Sequence, residues 1–160
     1  IVGVIADQGN PKNYFEEITK NVDGNFVEYQ SGFIPLYQPG IHCQKGNVFL
    51  VGDAATQCKG STHGGIIQGM IAGTALRDAL ITGKNYDRLW KKKLGKDLSM
   101  HLLIRKKIDR MKEKNLNLMV KLVKKQKVKT LLEHYDRDFA FALTTKLLVR
   151  EPRFLKLAIN

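Results

Sequence analysis

A short apolar run that ends abruptly, followed by a glycine-rich helix, constrains the fold of this chain most. Residues 47–51 read Asn-Val-Phe-Leu-Val, which is typical of a β-strand buried on both faces. Gly52 and Asp53 end the run, and residues 64–81 have a largely apolar helical pattern that Gly83 closes. A strand, a loop and a helix in this order are typical of an α/β protein with a ligand beyond the carboxyl end of the strand.

The segment before this run is predicted to contain one helix and several strands. Residues 1–6 read as a strand already under way and carry no initiator methionine, so we expect the trailing part of a longer protein. Asn10 and Pro11 predict the start of a short amphipathic helix. Residues 26–30 and 32–37 are predicted to be strands of a hairpin-like β region.

The segment after the glycine-rich helix is predicted to be helical and strongly basic. Beyond residue 85, leucine, lysine and arginine dominate, and no proline occurs before Pro152. The 160-residue chain has a formal charge of +12, and residues 88–129 hold 16 basic and three acidic side chains. A lysine-rich face can be a merely solvated surface, but this concentration of charge also suits an anionic membrane surface. No nucleic-acid partner is predicted, because no reader motif or stacking platform accompanies the lysines.

The composition excludes several classes of protein. Arg77 and Asp78 interrupt the longest apolar stretch, so no membrane-spanning helix is predicted. Cys43 and Cys58 are too few for a disulfide scaffold and lack zinc spacing, which favours a reducing cytoplasmic setting and no metal site. Cys58 lies beside Lys59 and is either a reactive thiol or, as we favour, an inert one.

The residues around the Gly-Asp pair suit a ligand that carries hydroxyl groups and an electron-rich ring. Asp53 can accept hydrogen bonds from a polyol, and Gly52 lets the backbone approach the ligand closely. Gly64 and Gly65 lie where the helix begins, so its unpaired N–H groups and positive dipole end face the ligand.

Several segments together resemble a known family of flavoproteins. Residues 47–55 (Asn-Val-Phe-Leu-Val-Gly-Asp-Ala-Ala) and 61–70 (Ser-Thr-His-Gly-Gly-Ile-Ile-Gln-Gly-Met) resemble the second flavin fingerprint of the p-hydroxybenzoate hydroxylase-like flavoproteins. Within that group the chain is most similar to the archaeal geranylgeranyl reductases. The supporting segments are Gly-Phe-Ile-Pro at 32–35, Tyr-Asp-Arg-Leu-Trp at 86–90 and Leu-Gly-Lys-Asp-Leu at 94–98.

The resemblance implies FAD as the cofactor and assigns residues to it. Asp53 would bind the ribityl chain, and the helix start would face the pyrimidine side of the isoalloxazine. The amino-terminal fingerprint Gly-x-Gly-x-x-Gly does not occur in the sequence, so we expect the chain to hold half of an FAD site. His63 departs from the family pattern, which has a small residue there. The predicted cofactor-binding residues are Gly52, Asp53, Ala54, Thr62, His63, Gly64, Gly65 and Ile66.

The resemblance also implies an activity and a division of the chain. It implies an FAD-dependent oxidoreductase that saturates isoprenoid (geranylgeranyl) double bonds of membrane lipid precursors, by reduction of FAD, hydride transfer and proton addition. The fold class would be α/β, as an α+β fragment. Residues 1–45 would end a substrate-domain sheet, residues 46–84 would form the second FAD-binding element, and residues 85–160 a basic helical region.

Two alternatives remain open at this point. The first is a flavin monooxygenase or halogenase of the same superfamily, and the second is a basic helical adaptor without a cofactor. The sequence identifies neither catalytic residues nor the electron donor. The expected location is the cytoplasm, with a peripheral position on the membrane as a further candidate. His42, His101 and His134 have no ligand spacing and are expected to be structural.

Overall fold

The computed structural model describes residues 2–6, 9–25 and 27–159. They fall into two compact units, Ile1–Gly32 and Phe33–Asn160. The part of the chain so described contains no helix that is long and apolar enough to cross a membrane. Its helices and strands are α1 (Pro11–Thr19), β1 (Gln44–Lys45), β2 (Val48–Phe49), a 3₁₀ helix (Gly52–Ala55), α2 (Ile66–Thr82), α3 (Tyr86–Asp109), α4 (Glu113–Val123), α5 (Gln126–His134), α6 (Ala140–Arg150) and α7 (Phe154–Ile159). The fold is thus mostly helical with a small antiparallel sheet, as an α+β fragment requires.

The first unit contains the predicted short helix. Asn10 is the N-cap of α1, and its Oδ1 accepts a hydrogen bond of 3.0 Å from the Lys12 N–H. Pro11 occupies the first helical position, where its missing N–H leaves no hydrogen bond unmade. The prediction of a helix starting at Asn10-Pro11 is confirmed.

Three predicted strands are wrong. Residues 2–6, 27–30 and 32–37 have no strand structure, while Ile1 and Phe26 lie outside the described residues. β-propensity alone does not make a strand, because its N–H and C=O groups need a paired neighbour. The described part of the chain provides no such pairing for these segments.

The strongest predicted strand is real but short. β1 and β2 pair antiparallel, with Gln44 opposite Phe49 and Lys45 opposite Val48, around a left-handed Gly46. Val48 is 67% exposed, so the prediction of a strand buried on both faces is wrong for this sheet. The reason is that β2 pairs with one strand and only one of its faces is covered. Phe49 lies on the covered face, where its ring packs edge-to-face against the ring of Tyr86.

The core of the second unit is the pairing of α2 with α3. One face of α2 presents the small residues Ala72, Ala75 and Ala79. Their lack of bulk lets α3 pack closely with large side chains spaced four residues apart, namely Tyr86, Trp90, Leu94 and Leu98. Both the left-handed C-cap Gly83 and the all-helical region after residue 85 are confirmed.

Hydrogen bonds fix the hairpin to the start of α3. The Asp87 carboxylate accepts from the backbone N–H of Cys43 at 2.9 Å and from the indole N–H of Trp90 at 3.0 Å. The Gln44 Oε1 accepts from the Tyr86 N–H at 2.8 Å. Burial opposes ionisation of Asp87, but its hydrogen bonds from Cys43 and Trp90, together with the nearby charges of Lys91 and His42, outweigh burial and lower the pKa of its carboxyl.

The last four helices converge on one buried carboxylate. Glu151 lies between α6 and α7 and is 2% exposed. Its oxygens accept from Lys125 at 2.8 Å and from Arg153 at 2.6 Å, and Lys127 lies 3.3 Å away. The junction of α4 with α5 is thereby tied to the junction of α6 with α7.

Candidate functional site

The Gly-Asp pair begins a tight turn instead of ending a long strand. Gly52 has a φ of +68°, a left-handed conformation that glycine adopts without strain. Gln57 closes this turn with two hydrogen bonds to Gly52. Its side-chain Oε1 accepts from the Gly52 N–H at 2.7 Å, and its backbone N–H donates to the Gly52 carbonyl at 3.0 Å. Its Nε2 donates to the Tyr86 hydroxyl at 3.2 Å, which connects the turn to the helical core.

The side chain of Asp53 lies beside the start of α2. Gly65 is the N-cap of that helix, and a Cβ added to it would be 2.6 Å from Asp53 Oδ1. Asp53 and its neighbour Ala54 are exposed, so the carboxylate is available to a ligand. The structure therefore brings together Gly52, Asp53, Ala54 and Gly65, four of the predicted cofactor-binding residues.

The first turn of α2 is open and apolar. The helix begins at Ile66, two residues later than the sequence pattern predicts, and no side chain caps its first N–H groups. Ile66 is 82% exposed and Met70 is 65% exposed. One turn into the helix, Gly69 faces the Gly52 turn, and an added Cβ would be in van der Waals contact with the Gly52 Cα at 3.5 Å.

The remaining predicted residues lie on a loop folded back on itself. The Lys59 N–H donates to the Gly64 carbonyl at 2.9 Å, and the His63 N–H donates to the Lys59 carbonyl at 2.7 Å. Thr62 is exposed at the tip of this loop. His63 is half-buried with a φ of +57°, a left-handed conformation that is uncommon for a side chain other than glycine.

The glycines of the motif have different neighbours. A Cβ at Gly64 would be 2.8 Å from Lys59 Cε and 3.1 Å from Lys59 Nζ, so the space beside Gly64 holds the lysine side chain. The space beside Gly65 holds the carboxylate of Asp53. Gly64 thus leaves room for the Lys59 side chain within the loop, whereas Gly65 leaves room for the Asp53 carboxylate beside the Gly52 turn.

Both cysteines are buried and unpaired. Burial raises the pKa of the Cys58 thiol, and the negative charge of Asp53 adds to that effect. Burial, together with the charge of Asp87, raises the pKa of Cys43 to about 11. Burial and the raised pKa both favour the inert alternative for Cys58, because each opposes formation of an accessible thiolate.

Sequence reasoning missed the residues that hold this site from a distance. Gln57 secures the Gly52 turn, and Lys59 forms an ion pair with Asp138 across 79 residues of sequence. Ser61 Oγ lies 2.6 Å from His101 Nδ1. The one sequence signal for these contacts is His101, a polar residue within a mostly apolar stretch of helix. That pattern does not identify Ser61 as its partner.

The basic residues of the helical region divide into two groups. The first group makes specific contacts with a carbonyl, a carboxylate or an aromatic ring: Lys91, Lys93, Lys96, Arg105, Lys125 and Lys127. A second group makes no ion pair among the described residues, and most of its members are exposed: Arg88, Lys92, Lys106, Lys107, Arg110, Lys112, Lys114, Lys121, Lys124 and Lys129.

Comparison with curated proteins finds relatives that share one name. The digeranylgeranylglycerophospholipid reductase of Methanothrix thermoacetophila is 27% identical over 141 residues, which are 80% of this chain and 36% of that protein. The protein of the same name from Methanocaldococcus jannaschii is 30% identical over 136 residues, 74% of this chain and 35% of that protein. Digeranylgeranylglycerophospholipid reductase 2 of Methanothermobacter thermautotrophicus is 26% identical over 127 residues, 72% of this chain and 33% of that protein.

These relatives confirm the similarity to geranylgeranyl reductases that the motifs indicate. The chain spans about a third of the length of the curated relatives it matches. No family model and no solved structure matches it.

Proposed function

We propose that this chain carries flavin-contacting elements of an FAD-dependent reductase that saturates isoprenoid double bonds of membrane lipid precursors. The observation that carries the proposal is the exposed carboxylate of Asp53 beside Gly65, the glycine N-cap of α2. The names of the relatives, which are reductases of a digeranylgeranyl lipid, support the reaction class and the substrate class.

The residues present fit a flavin at this corner. The carboxylate of Asp53 would accept hydrogen bonds from ribityl hydroxyls, and the uncapped N–H groups at the start of α2 would face the pyrimidine edge of the ring. A positive helix end there favours negative charge on the ligand. Gly52, Ala54 and Gly65 would line the approach without large side chains. Bound FAD would supply the hydride for a double bond, while the chain's own residues bind and orient the cofactor.

The loop residues have supporting roles in this proposal. Thr62, His63 and Gly64 would border the ring from the loop side, and Ile66 would lie against it through its exposed side chain. A half-buried imidazole at His63 departs from the small residue of the family pattern.

A membrane surface is the partner we propose for the basic helices. Unpaired cations and exposed apolar side chains occur together on α4, where Lys121 and Lys124 lie next to Val120 and Val123. Each cation near an anionic surface contributes about 1 kcal/mol of attraction. An enzyme whose substrate is a membrane lipid would work at that surface.

The full-length protein provides the test of the proposed function. We expect the purified protein to have a flavin absorbance spectrum. After chemical reduction, the protein should add hydrogen to the double bonds of a geranylgeranyl lipid, which mass spectrometry of the lipid measures. Oxygen or halogen in the product would favour the monooxygenase or halogenase alternative. A colourless protein that does not bind added FAD would favour the adaptor.

A further inference from the structure

The loop between the Gly52 turn and α2 is held by residues that come much later in the chain. Inside the loop, the backbone bonds between Lys59 and Gly64 and between His63 and Lys59 close residues 59–64 on themselves. The left-handed His63 is an unfavourable conformation for a side chain with a Cβ, so surrounding contacts must maintain it.

The first external contact comes from α3. His101 is buried, and its Nδ1 lies 2.6 Å from the Ser61 hydroxyl. Arg105, one turn further, approaches His63 Nε2 at 3.5 Å. A Cβ at Gly60 would lie 3.5 Å from the His101 carbonyl oxygen, so the loop backbone rests directly on α3.

The second external contact comes from the turn between α5 and α6. Lys59 Nζ pairs with Asp138 Oδ1, and both side chains are less than one-fifth exposed. The stem of Lys59 lies across Gly64, as the 2.8 Å distance between the Lys59 Cε and an added Gly64 Cβ shows. Loss of Asp138 would leave a mostly buried ammonium group unpaired, which is strongly unfavourable.

We propose that His101 and Asp138 are positioning residues for the loop of residues 59–65. His101 acts on this loop through Ser61, and Asp138 acts on it through Lys59. The inference rests on the proposed function, since it takes this loop to border the flavin. The helical region then has a second role besides packing: it sets the loop conformation that places Gly65 beside Asp53 at the start of α2. Neither residue touches the ligand itself.

Paired variants of His101 in the full-length protein test the first contact. His101→Leu removes the partner of Ser61, whereas His101→Asn carries its amide where the imidazole carries Nδ1. We expect amide hydrogen exchange at residues 59–65 to rise on the order of tenfold in His101→Leu and to return towards wild type in His101→Asn. The changes in FAD affinity and in the flavin reduction potential should likewise be large in His101→Leu and small in His101→Asn. His134→Leu is the control, because among the described residues the His134 ring hydrogen-bonds to Thr130 of its own helix and to no residue of the loop.

Asp138 provides a second, independent variant should the leucine at position 101 disturb the core. Asp138→Asn keeps the size of the side chain and removes its charge, and it should loosen the same loop and shift the same flavin properties. If neither His101→Leu nor Asp138→Asn changes loop exchange, the inference is overturned. It is also overturned if the loop loosens while FAD affinity and potential stay at wild-type values. Loss of FAD from Asp53→Ala tests the proposed function separately, so the failure of one proposal is distinguishable from failure of the other.

Discussion

The carboxylate of Asp53 occupies the space that a side chain at Gly65 would need, with only 2.6 Å between Asp53 Oδ1 and an added Cβ. A loop separates the two residues in the sequence. In the structure, Asp53 in the Gly52 turn lies directly beside Gly65 at the start of α2. A side chain at position 65 would therefore have to displace the Asp53 carboxylate from the start of α2.

We expect Asp53→Ala in the full-length protein to fold normally and to lose FAD. The exposed carboxylate makes no hydrogen bond within the described protein that its removal would break, so stability should change by less than about 0.5 kcal/mol. Flavin absorbance after gel filtration measures the loss. Asp23→Ala is the matched control, because Asp23 is also exposed and makes no side-chain hydrogen bond or ion pair within the described residues, and it should stay yellow. Unchanged FAD affinity in Asp53→Ala would contradict the proposed site.

A side chain at Gly65 should displace Asp53 and disturb the cofactor. In Gly65→Val the branched Cβ cannot fit beside Oδ1 without moving the carboxylate. We expect weaker FAD binding or a lower reduction potential, because the ring would lie further from the positive helix end. Gly73→Ala is the control in the same helix, since its Cβ would meet nothing within 4 Å. It should keep the flavin and stabilise the protein by about 0.5–1 kcal/mol.

Both cysteines should resist alkylation in the folded protein. Cys43 and Cys58 are each 1% exposed, and burial raises the pKa of both thiols. At neutral pH the nucleophilic thiolate is scarce and inaccessible, so iodoacetamide should label them only after denaturation. Mass spectrometry before and after denaturation measures this, with Lys84→Cys as an exposed thiol that should react in both states. Rapid labelling of native Cys58 would restore the reactive alternative.

Removal of the buried Glu151 carboxylate should destabilise the carboxyl-terminal helices. Glu151→Ala would leave Lys125, Lys127 and Arg153 close together without their shared counter-charge. We expect a loss of about 1–2 kcal/mol in the free energy of unfolding, because the three cations left without a partner are partly exposed to water. Denaturant unfolding measures the loss, and the exposed Glu133→Ala should change it by less than about 0.5 kcal/mol. Equal stability of the two variants would contradict the cluster's structural role.

The unpaired lysines of α4 and its carboxyl end should bind anionic membranes. Reversing Lys114, Lys121 and Lys124 to glutamate should weaken co-sedimentation with phosphatidylglycerol vesicles by at least about two orders of magnitude, because the loss of three cations at about 1 kcal/mol each already accounts for that much. Binding should fall in high salt, because the screening length shrinks from about 10 Å at 0.1 M to about 3 Å at 1 M.

Lys125 is left unchanged in this variant because it pairs with Glu151. The control reverses three exposed lysines outside the basic run, Lys20, Lys45 and Lys84, for the same change in net charge. Equal weakening in both variants would mean that only net charge matters. Equal binding to phosphatidylcholine would indicate apolar insertion through residues such as Val120.

The sequence by itself determined the local features of this protein. Asn10 with Pro11 started α1, Gly83 ended α2, and the proline-free segment beyond residue 85 became helices. These signals act within one or two turns, so each can be read from neighbouring residues. The similarity to geranylgeranyl reductases was likewise readable, because it lies in contiguous motifs.

The tertiary structure alone decided which segments become strands and what holds the candidate site. Residues 32–37 have strand propensity but no strand structure, because β pairing requires a partner that local sequence does not specify. The contacts of Lys59 with Asp138 and of Ser61 with His101 join residues 79 and 40 positions apart. Such pairs arise because the packing of α2 on α3 and the return of α5 and α6 bring distant side chains together, and no periodicity within a single segment encodes that meeting.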